Sequence, residues 1–272
     1  MTKLKLWKDQ VPWKEAEENW DRGAEESAKS LPIKGLAKLP TMPGITDEAA
    51  RHLKWKSLKW IVTQDRDRKI LRGFLKHPFK YGFRFLKSIC KGKAYKRVGD
   101  FFLYGLEGLE EFSRDLQKEN TLLVIGFSYC HKPFECPSGR FTADCIRDPD
   151  HLVCRQCFIG KSLNALPENK SIPLLIPTIH YIGNKIFEIV HSYPNQQILF
   201  IITACEMTLE MFGDLGNMVG IKGIGVRLDG RICNTIKAFE LSEQGIKPGL
   251  TVVLPETQKT ILELIRQRTD SF

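Results

Sequence analysis

The sequence predicts an α/β protein: a mostly parallel sheet with helices on both faces, a cysteine-rich metal-binding loop and a helical basic N-terminal region. Three observations carry this expectation. Short buried runs at 122–125, 173–176 and 197–202 alternate with stretches of helical periodicity. Seven of the eight cysteines lie beyond residue 120, five of them between 130 and 157. Residues 66–97 hold twelve Lys or Arg against one acid, Asp67, in a chain of formal charge +9. The basic character therefore belongs to one segment, and the remainder is mildly acidic.

With 272 residues, 42% of them hydrophobic, the chain can bury a substantial core. It has no apolar run of about 18 residues that would suit a transmembrane helix. The first twenty residues lack the apolar core of a secretory signal. The expected location is the cytoplasm, where thiols stay reduced. Clustered cysteines there are metal ligands or redox groups more often than disulfides.

Three regions follow in order. Residues 1–45 read as a strap or linker: Trp13, Ala16, Trp20 and Ala24 fall at helical spacing near 12–28, and a stretch rich in proline and glycine ends the pattern. Residues 46–99 read as a basic amphipathic helical region. Thr46, Asp47 and Glu48 suit a helix start, with a helix continuing through Trp55 and Trp60. Ile70, Leu71, Phe74 and Leu75 make one apolar face, Pro78 interrupts it, and Phe79, Phe83, Leu86 and Cys90 resume it. Large apolar groups among lysines suit a helix lying on an anionic membrane surface, so residues 66–97 are the expected contact of a peripheral protein on the inner membrane face. A helix packed on the domain by its aromatics has the same composition. Nucleic acid is a weaker reading, because few hydrogen-bonding side chains are interleaved for base readout. Cys90 is expected to be a packing residue.

Residues 100–272 form the cysteine-rich α/β domain. Expected elements are a helix at 104–118, strands at 121–127 and 173–176, a helix at 178–192, a strand at 197–202 and a helix at 206–218. Strands at 221–227 and 250–254 and a terminal helix carrying Ile261, Leu262 and Ile265 complete it. Ligands in such sheets collect beyond the carboxyl ends of the strands. Cys130, Cys205 and Cys233 each follow a strand, so topology should deliver them to one edge. Cys205 also opens a helix, whose N-terminus would favour its thiolate. Within the loop, Cys136, Cys145, Cys154 and Cys157 are candidate ligands, and the last two have the CxxC spacing that lets two thiolates reach one ion. An iron–sulfur cluster or zinc is the expected cofactor. One arrangement gives those four cysteines a local metal site and leaves Cys130, Cys205 and Cys233 as further ligands with an open position for an unidentified small substrate. A single centre drawing on both groups is equally allowed. Cys205, Cys233 and Glu206 are the candidate catalytic residues, Glu206 as a general acid or base. His131 and His151 fit solvated or supporting positions, and His180 and His191 look structural. Gly220, Gly223 and Gly225 have a reversed dinucleotide spacing inside a strand and are rejected as a nucleotide motif. There is neither a phosphate loop nor an HExxH motif.

SYC at 128–130, CP at 136–137, CRQCFIG at 154–160, ACE at 204–206 and DGRICNT at 229–235 resemble the domain of unknown function 116 family over roughly residues 120–260. The resemblance implies that Cys130, Cys136, Cys154, Cys157, Cys205 and Cys233 match family cysteines, and it implies an iron–sulfur or other metal centre. The chain departs from the family pattern in lacking a further cysteine after CRQC, a place that Cys145 could fill, and in an inserted stretch at 236–249. The resemblance supplies no reaction; redox or sulfur chemistry at the strand edge is the expectation from the cysteines themselves.

Overall fold

The computed structural model describes residues 7, 11–36, 44, 45, 53, 59, 62–65, 67–90 and 94–270. Its helices are Trp13–Ser30 (α1), Lys69–Leu75 (α2), Pro78–Cys90 (α3), Leu109–Leu116 (α4), Leu152–Gln156 (α5), Phe158–Ala165 (α6), Ile179–Ser192 (α7), Glu206–Val219 (α8), Ile236–Ser242 (α9) and Pro255–Asp270 (α10). The main sheet holds Lys96–Val98 (β1), Phe101–Tyr104 (β2), Thr121–Ser128 (β3), Ser171–Ile176 (β4), Gln197–Ala204 (β5) and Lys222–Arg227 (β6), in the order β1-β2-β6-β5-β3-β4. Asp229–Gly230 (β7) and Thr251–Val252 (β8) form a separate antiparallel pair.

Strands β4, β3, β5 and β6 are parallel neighbours, and β1 and β2 add an antiparallel edge. An α/β architecture with a mostly parallel sheet is the expected class. Alternate residues of the central strand feed two cores, as a period of two requires. Leu123, Ile125 and Phe127 pack with Trp20 of α1, Phe112 of α4, Ile159 of α6 and Ile265 of α10. Leu122 and Val124 pack with Ile182 of α7, Phe212 of α8 and Tyr81 of α3. Pro173 sits in β4 at the sheet edge, where a missing N–H is tolerated.

The hairpin of β1 and β2 departs from expectation. The helix expected at 104–118 begins only at Leu109, because Phe101–Tyr104 is taken up as a partner of β6. Gly223 and Gly225 explain that pairing. A Cβ on Gly223 would lie 2.3 Å from the Phe200 carbonyl oxygen, and one on Gly225 would lie 2.9 Å from the Tyr104 hydroxyl. These glycines leave room for the aromatic cluster of Tyr104, Phe200 and Phe212.

In the basic region Lys69–Leu75 and Pro78–Cys90 are helical, but its end, Lys96–Val98, is strand β1 and not helix; Thr46, Asp47, Glu48, Trp55 and Trp60 lie outside the described residues. Pro78 opens α3, a position where its missing N–H costs nothing. Phe74, Tyr81 and Phe85 pack toward the domain, and Ser88 donates to Asp214 Oδ1 at 2.7 Å. The other stripe faces outward. Leu71, Leu75, Phe79, Phe83 and Leu86 are exposed, Phe79 at 92% and Phe83 at 70%. Cys90 is exposed as well, which corrects its expected packing role. The misreading arose because α3 carries aromatics on two faces, and periodicity alone does not say which one meets the core. Among the described residues no helix is long and apolar enough to cross a membrane.

Candidate thiol and metal site

Strands β3 and β5 are adjacent and parallel, with Phe127 opposite Thr203, so their carboxyl ends stop side by side. Beyond β3 the chain makes one 3-10 turn containing Cys130, and beyond β5 Cys205 is the N-cap of α8. Cys233 follows β7. Cys130 and Cys205 line one cavity, and Cys205 packs against the apolar core in which Cys233 is buried. Lys247 Nζ lies 3.1 Å from Cys233 Sγ, and Thr208 Oγ1 lies 3.2 Å from Cys205 Sγ.

The hydrogen bond from Cys205 lowers the Cys233 thiol to about 5, with the Lys247 ammonium helping and burial opposing. The same bond, burial and the negative Cys233 push Cys205 well up. Cys205 thus holds its proton more tightly than an ordinary thiol. That reverses the expectation for Cys205: its helix N-terminus is outweighed by its neighbour. A contact of 3.5 Å from Cys233 Sγ to the Ala238 carbonyl suits a thiol instead.

Beside these sulfurs lies a cavity of about 30 Å³. Its wall includes Cys130, Cys205, Thr208, Thr178 and Glu243, with Ile182 and Phe212 among the apolar groups. The Glu243 carboxylate accepts from Ile179 N at 2.9 Å, at the amino end of α7. Burial raises its pKa to about 7, partly offset by that hydrogen bond. Glu243 was not singled out from the sequence, since an acid just past the end of a short helix gives no signal. Glu206, the expected acid or base, is otherwise engaged. It is 3% exposed, its Oε1 lies 2.6 Å from Arg97 Nη1 and its Oε2 3.6 Å from Arg227 Nη1. The carboxylate on the cavity wall belongs to Glu243.

The second group is Cys136, Cys145, Cys154 and Cys157. Burial raises Cys154 to about 11 and Cys157 to about 12, and both Cys136 and Cys145 add like-charge repulsion. Backbone N–H groups oppose this: Asp148 at Cys154, Arg147 at Cys145, and Gly160 and Ile159 at Cys157. Donors aimed at sulfur favour thiolates. Lys132 is fully buried beside them, and its ammonium interacts with Cys136, Cys145 and Cys157. Its Nζ donates to the carbonyls of Gly139, Thr142 and Asp144 at 3.0, 3.0 and 2.7 Å. Arg140 ties the two groups, donating to the Lys132, Cys130, Lys247 and Gly249 carbonyls. Neither residue was foreseen, because their partners are backbone carbonyls, which leave no pattern in the sequence.

The CxxC residues also anchor the strap. Arg155 donates to the Asn19 carbonyl at 2.7 Å and lies over the Trp20 ring; Gln156 donates to the Leu31 carbonyl at 2.8 Å. A Cβ on Gly160 would stand 2.2 Å from the Cys154 carbonyl oxygen, so only glycine lets α6 close on the CxxC turn. His151 caps α5 by accepting from Val153 N, and His131 is buried against Phe127 and Phe158, its pKa lowered to about 4 by burial. His131 is thus neither solvated nor charged.

As the side chains lie, no group of three or more His, Cys, Asp or Glu among the described residues is arranged to hold a metal ion. Thiols gather in two neighbourhoods, each with its own cation, without closing on a point. Comparison with family models, curated proteins and solved structures finds no match for the chain.

Proposed function

We propose that this is a thiol-based metal protein, of iron–sulfur type, that carries out redox or sulfur chemistry while held on an anionic membrane surface. The observation that supports the metal is the loop group of four cysteines: backbone N–H donors meet Cys145, Cys154 and Cys157, and the buried Lys132 interacts with Cys136, Cys145 and Cys157. This donor set fits a thiolate-bound centre, in which Cys136, Cys145, Cys154 and Cys157 would be the ligands. Such a centre would supply electrons close to the strand-edge thiols. Lys132 would offset part of its negative charge, and Gly160 would keep the CxxC turn tight. Cys130, Cys205 and Cys233 form the reactive mouth, with Glu243 on the cavity wall beside Cys130 and Cys205. The motifs quoted from the domain of unknown function 116 family belong to the same reading.

Anaerobic purification with an absorption spectrum and metal analysis tests it. Broad absorbance in the visible with bound iron and sulfide is expected, falling in Cys154→Ser and Cys157→Ser. Stoichiometric zinc in a colourless protein would replace the redox reading with a zinc-stabilised scaffold. A protein that takes up neither metal, even after reconstitution, sinks the proposal.

The outward stripe on α2 and α3 supports the membrane contact. Its apolar groups stand among Arg72, Lys76, Lys80 and Lys87, all exposed. Sedimentation with vesicles should increase with anionic lipid and decrease with salt. Protein remaining in the supernatant at low salt removes this part of the reading.

A further inference from the structure

We propose that Phe134, Phe141 and Ile246, with the cations Lys34, Arg231 and Lys247 around them, are the docking surface for an acidic protein partner. The proposal goes beyond the metal and membrane readings and depends on neither. It stands on exposure, contact and charge.

The patch draws on the strap, the cysteine loop and the turns at 231 and 245–249. Phe134 and Phe141, from the loop, are 39% and 38% exposed, and Ile246, after α9, is 54% exposed. Phe141 meets Tyr129 edge-on, with ring centroids 4.9 Å apart. On another side it meets Gly245, where a Cβ would stand 2.7 Å from Phe141 Cδ1, so the turn that carries Ile246 closes on the ring. Arg140 fixes the arrangement. Its guanidinium lies 4.3 Å from the Phe134 ring centroid and donates to the Lys247 and Gly249 carbonyls, each at 2.6 Å. Gly249 abuts Arg231, since a Cβ there would meet Arg231 Cβ at 2.1 Å. Lys34 arrives from the strap. Gln156 holds that segment by donating to the Leu31 carbonyl and accepting from Ile33 N, and Lys34 Nζ comes 5.9 Å from the Phe134 ring centroid.

The charge here has one prevailing sign. Lys34 and Arg231 are exposed, and Arg140 and Lys247 are half-buried. Glu135 buries one carboxylate oxygen, and Glu243 lines the cavity. Glu240 is half-buried, and the exposed Asp144 is matched on the loop by the exposed Arg147. Aromatic and arginine anchors around an apolar centre, rimmed by cations, have the make-up of a protein interface, and the cations select an acidic face. Nucleic acid fits less well, because bases stack on open ring faces. Phe134 already carries cations over its ring, Phe141 is wedged between Tyr129 and Gly245, and Ile246 has no ring to offer. The patch also borders the thiol mouth. Arg140 Nη2 donates to the Cys130 carbonyl at 3.1 Å, and Lys247 Nζ lies 3.1 Å from Cys233 Sγ. A partner seated there is brought beside the strand-edge thiols.

The test uses the full chain and a fluorescein-labelled peptide with a central Trp-Leu pair flanked by glutamates, at about 0.15 M salt, where distant charges are screened. Anisotropy gives the affinity, and zero-length carbodiimide coupling with peptide mapping gives the place. Coupling is expected at Lys34 and Lys247. A Lys34→Glu, Arg231→Glu double variant should bind at least about tenfold more weakly, since attraction turns to repulsion at two positions. A Phe134→Ser, Ile246→Ser double variant should lose a similar factor, because less apolar area is buried. Lys76→Glu, Lys80→Glu at the α2–α3 corner should bind as the wild type does. Absence of binding, or coupling confined to the lysines of residues 66–97, overturns the proposal. Both results are read on the wild type, so a misfolded variant does not rescue it. An oligothymidylate of equal charge that binds more tightly and displaces the peptide from Lys34 and Lys247 would make this a nucleic-acid surface and overturn it as well.

Discussion

Gly160 shows how one residue sets the geometry of the loop. With its α-carbon close over the Cys154 carbonyl, any side chain must push α6 away from the CxxC turn. Gly160→Ala is expected to destabilise the protein by about 1–3 kcal/mol, the usual cost of overpacking a tight site, and to lower metal content in parallel. Urea unfolding with metal analysis checks both. Glu243 gives a prediction in pH. Its folded pKa of about 7 lies above the ordinary 4.5, so the fold binds the proton more tightly than the unfolded chain does. Stability from this residue is therefore greatest when it is protonated in both states and declines as pH rises from about 4.5 through 7. Melting temperature measured across that window should fall more steeply in the wild type than in Glu243→Gln. An equal slope in both would place the titration elsewhere. These residues also mark the limit of what a sequence discloses. The strand-end positions of Cys130 and Cys205 were legible because each follows an apolar run, and strand ends can be counted along a chain. Lys132, Arg140, Lys247 and Glu243 were not, because their partners are carbonyls, sulfurs or N–H groups brought near only by folding.

At the scale of elements, α3 has two apolar faces with different occupations. Tyr81 is 2% exposed between Phe74 and Phe187, whereas Phe79 and Phe83 meet solvent. Tyr81→Ala should cost about 3 kcal/mol of stability, as large-to-small changes of buried aromatics do. A Phe79→Ala, Phe83→Ala double variant should leave the melting temperature nearly unchanged. It should weaken binding to anionic vesicles roughly 100-fold, since two aromatic side chains then fail to enter the interface. A double variant that melts early and binds vesicles normally would assign this face to the core. The sequence supplied the helix and its charges but not this division, because both stripes run at the same period. The hairpin of β1 and β2 was hidden for a related reason: Phe101, Phe102, Leu103 and Tyr104 are apolar on successive positions, a run that periodicity does not separate from a helix start. What decided it was Gly223 and Gly225 opening space on the partner strand.

Across the whole molecule, the strap, the loop and the sheet are joined through the CxxC turn. Arg155 and Gln156 fasten the chain from Asn19 to Ile33, Lys161 pairs with Asp21 at 2.6 Å and Glu17 at 3.2 Å, and Arg140 carries the connection on to the Cys130 and Lys247 carbonyls. The central strands β3 and β5 make none of these polar contacts; their own ladder and the core shared with α7 and α8 hold them, while Trp20 and Ile159 pack on the other face. Removing metal from the loop should therefore loosen only part of the protein, because binding free energy there is folding free energy for the segment that holds the ligands. Hydrogen exchange on the metal-loaded and chelator-treated full chain gives the readout. Faster exchange is expected in residues 132–165 and, through Arg155 and Gln156, in α1, with the amides of β3 and β5 unchanged. An Arg155→Ala variant should uncouple the two, so that α1 exchanges fast whether or not metal is bound. Uniform acceleration across the sheet would mean that the loop and the sheet unfold as one unit. Acceleration in the loop with α1 unaffected in the wild type would mean that the strap is held by its Trp20 and Ala16 packing and not by the CxxC turn.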